Sequence, residues 1–426
     1  MPKDWEESRF AQPIRDIVLK ELPAKVALPD DESDLVVSGL LDSMGWVGVL
    51  TAIEDLTQTA DFGNPWPPDR PQSIRALVQL ADESAGAARP RDDAETRGQA
   101  LTGDGRQVVL AGWGFRLGSL EVSADEVESE CRLPPGTLRK GAGFNTFRHA
   151  ARDEDHVSLG QSAAEAALNA AQIEASDIAA LVTTSSTFLA LPSFGAALHA
   201  RLLLAESCNV LDVGGACAGL INALQAATSH LKVQGRGFAL VVASEVHTRT
   251  LASLGAPGDF RGLFADGACA FVLGLAETPS KAPVIGEFIS GCSGSEASAL
   301  EATLSPDKSF EFRFRGEALG RAAIGGLLRV VEKLERLSGR SRSELAMLAI
   351  HEPNPRLAAI FARNAQLSES KLPMVSRAYG NLGSATCGVG LCLALDRLEK
   401  DAAGSRPLIF VAAVAPGLLW SGTYFH

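Results

Sequence analysis

The C-terminal part of the chain contains the same series of segments twice. A helical pattern at 162–171 leads to the strand-like segment SDIAALVTTSST, and a second one at 326–337 leads to SELAMLAIHEPN. Each copy continues with a Gly-containing turn into a helix and then an apolar strand: VGGACAGLINAL and GFALVVASE in the first, NLGSATCGVGLCLAL and RPLIFVAAV in the second. This repetition predicts two copies of one α/β half that face each other across a pseudo-twofold axis.

A different kind of sequence precedes the repeat. Three amphipathic patterns predict a small all-α helical bundle: about 10–22, 43–57 and 71–81. The segment that follows the bundle mixes charges with Pro, Gly and small residues and has no apolar periodicity, so we expect a linker. The predicted boundaries are 1–85 for the bundle, 86–106 for the linker and 107–426 for the α/β body, with halves of about 107–280 and 281–426.

Charge and cysteine usage exclude several classes of protein. The formal net charge of the chain is −12, and residues 1–85 account for most of it with 16 acidic and 7 basic side chains. The body is therefore nearly neutral, and neither part has the basic surface that nucleic-acid binding needs. The seven cysteines show no C-x-x-C pair and no accompanying histidine cluster, which disfavours a disulfide framework and a metal site. Without a signal-peptide pattern or a long apolar run, we expect a cytoplasmic protein with no membrane segment.

Three chemistry-bearing residues follow predicted strands. Cys217 lies in DVGGACAGL, where the positive end of a helix dipole would stabilise a thiolate and small neighbours admit a substrate. His351 opens HEPN, and Asn381 lies in YGNLGS. The repeat places all three at one edge of the paired halves, which predicts a thiol nucleophile beside two groups able to hydrogen-bond a thioester carbonyl. The other six cysteines are expected in the core.

These motifs resemble those of β-ketoacyl-carrier-protein synthase III-like condensing enzymes. Five segments match in order and spacing over about 107–426: VTTSSTFLALPS, DVGGACAGL, LFADGACAFVLG, HEPN and YGNLGS. The resemblance implies an α/β thiolase fold with duplicated halves in αβαβα layers, and a homodimer. It also implies that Cys217 is the acylated nucleophile and that His351 with Asn381 stabilises the enolate or oxyanion in decarboxylative condensation. Arg261 and Arg356 match positions that contact the phosphates of coenzyme A or of a carrier's arm.

The chain departs from this family at two sequence positions and in a loop near Leu191, which is one residue longer than usual. Ala415-Pro416-Gly417 replaces a Gly-Gly-Gly turn that lends a backbone N–H to the oxyanion hole, and proline has no N–H. Glu352 replaces the Gln after the histidine. Transfer to oxygen or nitrogen therefore stays open beside C–C condensation. The catalytic Glu of hydroxymethylglutaryl-type synthases and the second Cys of degradative thiolases are missing from their expected segments, so neither activity is favoured.

The N-terminal bundle resembles an acyl carrier domain over 9–85. Its Asp-Ser-Met segment places Ser43 where such domains carry 4′-phosphopantetheine, although Asp-Ser is also a common helix N-cap. The resemblance implies covalent 4′-phosphopantetheine on Ser43, installed by a phosphopantetheinyl transferase, and no metal cofactor.

Together these features predict an acyltransferase of polyketide or fatty acid-like, specialised-metabolite biosynthesis. Acyl-CoA or an acyl carrier protein would supply the acyl group, and the chain's own carrier domain, in cis or in trans, would present the second substrate. A non-catalytic carrier or docking scaffold is the alternative from another class. The intact Cys217, His351 and Asn381 argue against it.

Overall fold

The computed structural model describes residues 5–22, 26–57, 62, 66, 70–84, 106–277, 280–293, 300–304, 310–400 and 407–426. The chain divides into two units: Met1–Arg97 with Arg315–Gly325, and Gly98–Phe314 with Gly326–His426. The predicted linker, 86–106, lies outside the described residues except at its last position. In the ranges described, no helix has the length and apolar character needed to cross a bilayer.

Helices of the first unit pack around a shared apolar core: α1 (Ala11–Glu21), α2 (Ser43–Thr57) and α3 (Ile74–Ser84). Trp46 is fully buried there and meets Trp66 edge-on, with ring centroids 5.0 Å apart. The bundle and the bounds of α2 agree with the sequence prediction. Helix α3 starts three residues later than predicted, because the Ser73 hydroxyl accepts the Ala76 N–H at 3.3 Å and caps the helix there.

The remaining elements follow in chain order. The strands are β1 (Gln107–Leu117), β2 (Leu120–Ser123), β3 (Thr146–His149), β4 (Ile178–Thr184), β5 (Asn209–Asp212), β6 (Phe238–Val246), β7 (Asp266–Ala276), β8 (Ile285–Cys292), β9 (Leu300–Leu304), β10 (Phe310–Phe314), β11 (Leu345–Ile350), β12 (Leu408–Ala415) and β13 (Leu419–Phe425). The helices are α4 (Ala124–Cys131), α5 (His156–Ala171), α6 (Phe194–Leu202), α7 (Gly219–Gln234), α8 (His247–Ser253), α9 (Gly258–Arg261), α10 (Gly316–Ser338), α11 (Pro355–Asn364), α12 (Val375–Tyr379) and α13 (Thr386–Lys400).

The two halves build sheets with the same strand order. The first sheet runs β1-β7-β6-β4-β5 and the second runs β8-β13-β12-β11. In both sheets the first two neighbouring pairs are antiparallel and the third is parallel. Strand β5 adds a parallel edge strand to the first sheet. The predicted duplication is therefore confirmed by strand order as well as by sequence.

Helices α7 and α13 lie between the two sheets. One apolar core joins both helices to residues of both sheets, while a second core packs α5 and α6 on the outer face of the first sheet. Successive side chains of β6 point to opposite faces of the sheet, so Val241 packs in the central core and Val242 in the outer one. On the second sheet, Val330 of α10 lies over Gly422 of β13. This arrangement gives the αβαβα layers of the thiolase fold.

Polar side-chain contacts join the two halves. Trp113 Nε1 donates to Asp396 Oδ1 at 2.7 Å, and Ser421 Oγ donates to Asn222 Oδ1 at 2.8 Å. Asn222 in turn donates to the Gly214 carbonyl at 3.2 Å, in the turn that leads to Cys217. The second half therefore helps to fix the turn that carries the predicted nucleophile.

The start of α7 lies against the end of β4. A Cβ on Gly219 would lie 2.3 Å from Oγ1 of the buried Thr184, so we expect Gly219→Ala to lower the free energy of unfolding by about 1–3 kcal/mol. Gly214→Ala is the matched control, since a Cβ there meets nothing within 4 Å. Denaturant unfolding of both variants measures the difference, and equal stabilities would contradict this packing.

Candidate active site

Cys217 lies in a short 3-10 turn, Ala216–Ala218, between β5 and α7. Positive φ angles lead into this turn, +136° at Gly215 and +47° at Ala216. The Ala218 N–H closes the turn by donating to the Gly215 carbonyl at 3.0 Å. The cysteine thus lies at the start of a helix, as its sequence context predicts.

The thiol of Cys217 differs from the stabilised thiolate that a helix start predicts. Part of the residue is accessible to solvent, but its sulfur is surrounded by protein. This burial is the main cause that raises the pKa of Cys217 to about 12, and the negative charge of Glu245 is the second cause. A backbone hydrogen bond opposes this shift only in part. The thiol is therefore protonated at neutral pH and must lose its proton when it attacks an acyl group.

His351 follows β11 directly and is buried. Its backbone N–H donates to the Ala412 carbonyl of β12 at 2.9 Å. Burial lowers the pKa of the imidazole to about 4, against the opposing effect of a backbone hydrogen bond with Gly383, so the ring is neutral at pH 7. Its Nδ1 is buried without a hydrogen-bond partner in the part of the chain that the structure describes.

Asn381 is oriented through its side-chain oxygen. Oδ1 accepts the Gly383 N–H at 2.9 Å and the Thr386 hydroxyl at 3.3 Å. Because both partners are donors, the amide is fixed with its oxygen toward them and its Nδ2 on the other side. The buried Asn381 side chain therefore has a donor group available for a ligand.

Gly383 connects these residues. Its N–H binds Asn381, its backbone hydrogen-bonds His351, and the 3-10 turn Gly383–Ala385 contacts the Cys217 turn. The structure thus brings Cys217, His351 and Asn381 together between the halves, as the repeat predicts. A thiol nucleophile, a neutral imidazole and an oriented amide donor form a set that suits acyl-thioester chemistry.

Glu245, at the end of β6, belongs to the same site and is absent from the sequence-based prediction. The carboxylate is fully buried and accepts the Ser186 N–H at 2.9 Å and the hydroxyls of Thr187 and Ser384 at 2.6 Å each. Burial by itself would raise the pKa of Glu245, but the neighbouring His247 and these hydrogen bonds bring it below the ordinary value. Glu245 is therefore a buried anion.

His247 is the second residue that sequence reasoning misses. Its ring stacks on Phe264 with centroids 4.5 Å apart, and its Nδ1 lies 3.3 Å from the Ala265 carbonyl. A sequence signal for this pair does exist. Glu245 corresponds to Val414 in the second copy of the repeat, so a charged residue stands where the other half has an apolar one.

Glu352, which replaces the family's Gln, is buried next to His351. One carboxylate oxygen accepts the Val375 N–H, and the other accepts the Ser376 hydroxyl at 2.8 Å. Both partners belong to α12, which leads directly to Asn381. Glu352 therefore connects the segment that carries His351 to the segment that carries Asn381. Burial raises the pKa of Glu352 to about 7 despite these hydrogen bonds.

Arg261 and Arg356 each donate to a backbone carbonyl, one in α4 and one in the turn that follows it. Arg261 donates to the Glu130 carbonyl of α4 at 3.1 Å. Arg356 donates to the Gly141 carbonyl at 3.2 Å, in the π-helical turn Thr137–Ala142. Both arginines thus have structural partners. Their contact with coenzyme A or carrier phosphates stays a prediction.

The turn that replaces the glycine triplet contains two left-handed residues, Gly417 with φ +80° and Leu418 with φ +49°. The thiol of Cys292 donates to the Gly417 carbonyl at 3.3 Å. Cys292 is exposed, because it lies at the end of β8 rather than inside the sheet, so its assignment to the core is wrong. The remaining non-nucleophilic cysteines are buried: Cys131, Cys208, Cys269, Cys387 and Cys392.

In the first unit, Ser43 is the first residue of α2 and Asp42 caps the helix. The Asp42 carboxylate accepts the Gly45 N–H at 2.9 Å, and its carbonyl accepts the Trp46 N–H at 2.9 Å. The capping function of the Asp-Ser pair therefore belongs to Asp42. Attachment of phosphopantetheine to Ser43 stays a prediction.

Known proteins resemble the chain in sequence and in fold. Residues 123–273 match the family model described as FAE1/Type III polyketide synthase-like protein. The structure of 3-oxoacyl-(acyl carrier protein) synthase III from Pseudomonas aeruginosa superposes with a TM-score of 0.67 at 23% identity, covering 75% of this chain and 98% of that one. The β-ketoacyl-[acyl-carrier-protein] synthase III of Methylococcus capsulatus is 27% identical over 74% of this chain and 97% of its own length. The enzyme of that name from Salmonella paratyphi A is 31% identical over 64% of this chain and 85% of its own length. The chain belongs to the β-ketoacyl-[acyl-carrier-protein] synthase III family.

Membership in the synthase III family confirms the resemblance drawn from the five motifs. It also makes the chain a condensing enzyme of the transferase type, with the thiolase fold that the two matched sheets show.

Replacement of Glu352 by the family's Gln tests the charge at this position. A carboxyl whose pKa rises from 4.5 to about 7 on folding holds its proton more tightly in the folded state, so wild-type stability falls as the pH rises from about 5 to about 7. Glu352→Gln lacks this penalty. Relative to wild type, its free energy of unfolding should gain about 2–3 kcal/mol between pH 5 and pH 8.

Denaturant unfolding at the two pH values measures this difference. Glu399→Gln, an exposed position on α13, is the control and should show no comparable gain. A pH-independent difference between Glu352→Gln and wild type would mean that Glu352 is ionised throughout.

Proposed function

We propose that this enzyme takes an acyl group onto Cys217 from a coenzyme A or carrier thioester and transfers it to a second substrate bound to a phosphopantetheine arm. Decarboxylative C–C condensation in specialised-metabolite biosynthesis is the proposed reaction. The observation that carries the proposal is the meeting of Cys217, His351 and Asn381 around Gly383. The names of the relatives from Methylococcus and Salmonella include the acyl carrier protein, which supports the proposed kind of partner.

In the proposed first step, the Cys217 sulfur attacks the thioester carbonyl. A new C–S bond forms, the old one breaks, and the Cys217 proton leaves with the released thiol. Because the pKa of Cys217 is raised to about 12, its thiol gives up the proton only as the acyl group is transferred, and the thiolate released from the substrate takes up that proton.

In the proposed second step, loss of CO2 from a malonyl-type thioester leaves its electron pair as an enolate. The enolate carbon then attacks the acyl group, and the Cys217 thiolate departs and is reprotonated. Donors that bind the enolate oxygen lower this barrier most, because the negative charge develops there. The oriented Nδ2 of Asn381 and the imidazole of His351 support this role. Transfer to oxygen or nitrogen would release no CO2, so labelled CO2 from a carboxyl-labelled substrate distinguishes the two reactions.

The proposed carrier of the second substrate is the chain's own first unit, with 4′-phosphopantetheine on Ser43. The position of Ser43 as the first residue of α2, with Asp42 as the cap, supports this assignment. A phosphopantetheinyl transferase would supply the arm.

A homodimer is the proposed assembly. Strand β5 is an edge strand of the first sheet, and unpaired edges favour pairing with another chain. Large apolar side chains are exposed on β5 and in the segments that connect β4 to it: Leu189, Leu191, Leu203 and Leu211. Exposed apolar side chains of this size are typical of a protein interface, and a second copy of the same edge can cover them with twofold symmetry.

Variants at the three residues separate the two steps. Cys217→Ala should abolish acyl loading, because no covalent intermediate can form, whereas the buried-cysteine control Cys208→Ala should load normally. His351→Ala and Asn381→Ala should each lower turnover by about 10²–10³-fold while loading persists. Intact-mass spectrometry after incubation with acyl-CoA esters, combined with product assays, measures both steps. Loading of the Cys217→Ala body would refute the proposal, and equal loss of both steps in His351→Ala would make His351 the base that activates Cys217.

Ser43 should be the site of phosphopantetheinylation. Incubation of the full chain with coenzyme A and a phosphopantetheinyl transferase should add about 340 Da, the mass of one phosphopantetheine group. The addition should vanish in Ser43→Ala and remain in Ser38→Ala, an exposed serine of the same unit. If several broad-specificity transferases leave the wild type unmodified, the carrier assignment is wrong.

A further inference from the structure

Glu245 receives hydrogen bonds from loops of both halves of the body. From the first half come the Ser186 N–H at 2.9 Å, the Thr187 hydroxyl at 2.6 Å and the Ser185 hydroxyl at 3.3 Å. From the second half comes the Ser384 hydroxyl at 2.6 Å. One buried carboxylate therefore joins the loop after β4 to the loop before α13.

The contact with Ser384 acts on the two proposed donors through a single residue. Ser384 is adjacent to Gly383, whose N–H binds Asn381 Oδ1 and whose backbone hydrogen-bonds His351. A shift of the Ser384 turn therefore changes the position of both donors at once. By contrast, the Cys217 turn is closed by its own Ala218–Gly215 bond.

The hydroxyl of Thr187 donates to Glu245, because an ionised carboxylate can only accept. Its oxygen already accepts the Val246 N–H at 3.2 Å and lies 2.9 Å from His156 Nε2. The groups around Glu245 thus donate to both of its carboxylate oxygens, as an ionised carboxylate requires. Hydrogen bonds to such an ionised acceptor are about twice as strong as neutral ones.

We propose that Glu245 is a positioning residue for the second step, which holds the Ser384 turn so that Asn381 and His351 reach the carbonyl oxygen of the second substrate. This inference rests on the proposed function, because it assigns the two donors to that step. Glu245 itself does not contact the reacting atoms in this role.

In the first step, by contrast, the charge of Glu245 is unfavourable, because it disfavours the Cys217 thiolate. Its negative charge is the second cause, after burial, of the raised pKa of Cys217. Removal of that charge should therefore lower the pKa of Cys217 and increase the thiolate fraction, about tenfold for each unit of pKa. A role limited to stability would slow both steps and would not accelerate the reaction of Cys217 with an alkylating agent.

The experiment compares Glu245→Gln, Ser384→Ala and the control Ser244→Ala in the full chain. Ser244 lies on the same strand and is equally buried, but its hydroxyl donates to the His156 carbonyl at 2.8 Å and not to either of the two loops. Three rates are measured: alkylation of Cys217 by iodoacetamide at pH 8, acyl loading by intact mass, and transfer from the preloaded enzyme to the second substrate. Thermal unfolding of each variant reports stability.

Glu245→Gln and Ser384→Ala should slow transfer by about 10–10²-fold, as expected for a displaced donor set. Loading should be unchanged in Ser384→Ala, and Glu245→Gln should alkylate faster than wild type. Ser244→Ala should leave the ratio of the two steps at the wild-type value. If Glu245→Gln and Ser384→Ala slow loading and transfer by equal factors, the inference is overturned. If wild type itself does not load Cys217, the proposed function fails instead.

Discussion

The site depends on a backbone conformation at Gly383 that a side chain would prevent. Its φ of +57° is left-handed, and a Cβ there would lie 2.3 Å from Cε1 of His247. Because the backbone of this glycine bonds both Asn381 and His351, its place sets the spacing between the two donors. The Cys217 turn, the carboxylate of Glu245 and the imidazole of His247 all converge on the turn that this glycine begins.

The duplicated fold could be predicted from the sequence because each copy repeats the same local pattern. Cys217, His351 and Asn381 could be placed together for the same reason, since each follows a strand of a repeated unit. The protonation state of Cys217 could not be predicted correctly, because the sequence indicates a stabilised thiolate and the structure a protonated thiol. The helix start is a local signal, but the burial that raises the pKa comes from elements far apart in the chain.

The charge states of Glu245 and Glu352 could not be predicted from the sequence either. The partners of Glu245 lie 58 and 139 residues away, at Thr187 and Ser384, so nothing near it in the chain indicates a hydrogen-bonded anion. The substitution at Glu352 was visible as a departure from the family. Its consequence was not, because burial under α12 determines whether the carboxyl is charged.

The two turns that meet at the centre of the site are equivalent members of the duplication. The Cys217 turn precedes α7, and the Gly383 turn precedes α13, the corresponding helix of the other half. In an assembly of two identical half-length chains, any substitution at one turn would appear at the other as well. Fusion of the halves into one gene removes this restriction. One turn could then evolve as the nucleophile and its counterpart as the binding site for the incoming substrate, a division of labour that needs two independently mutable copies.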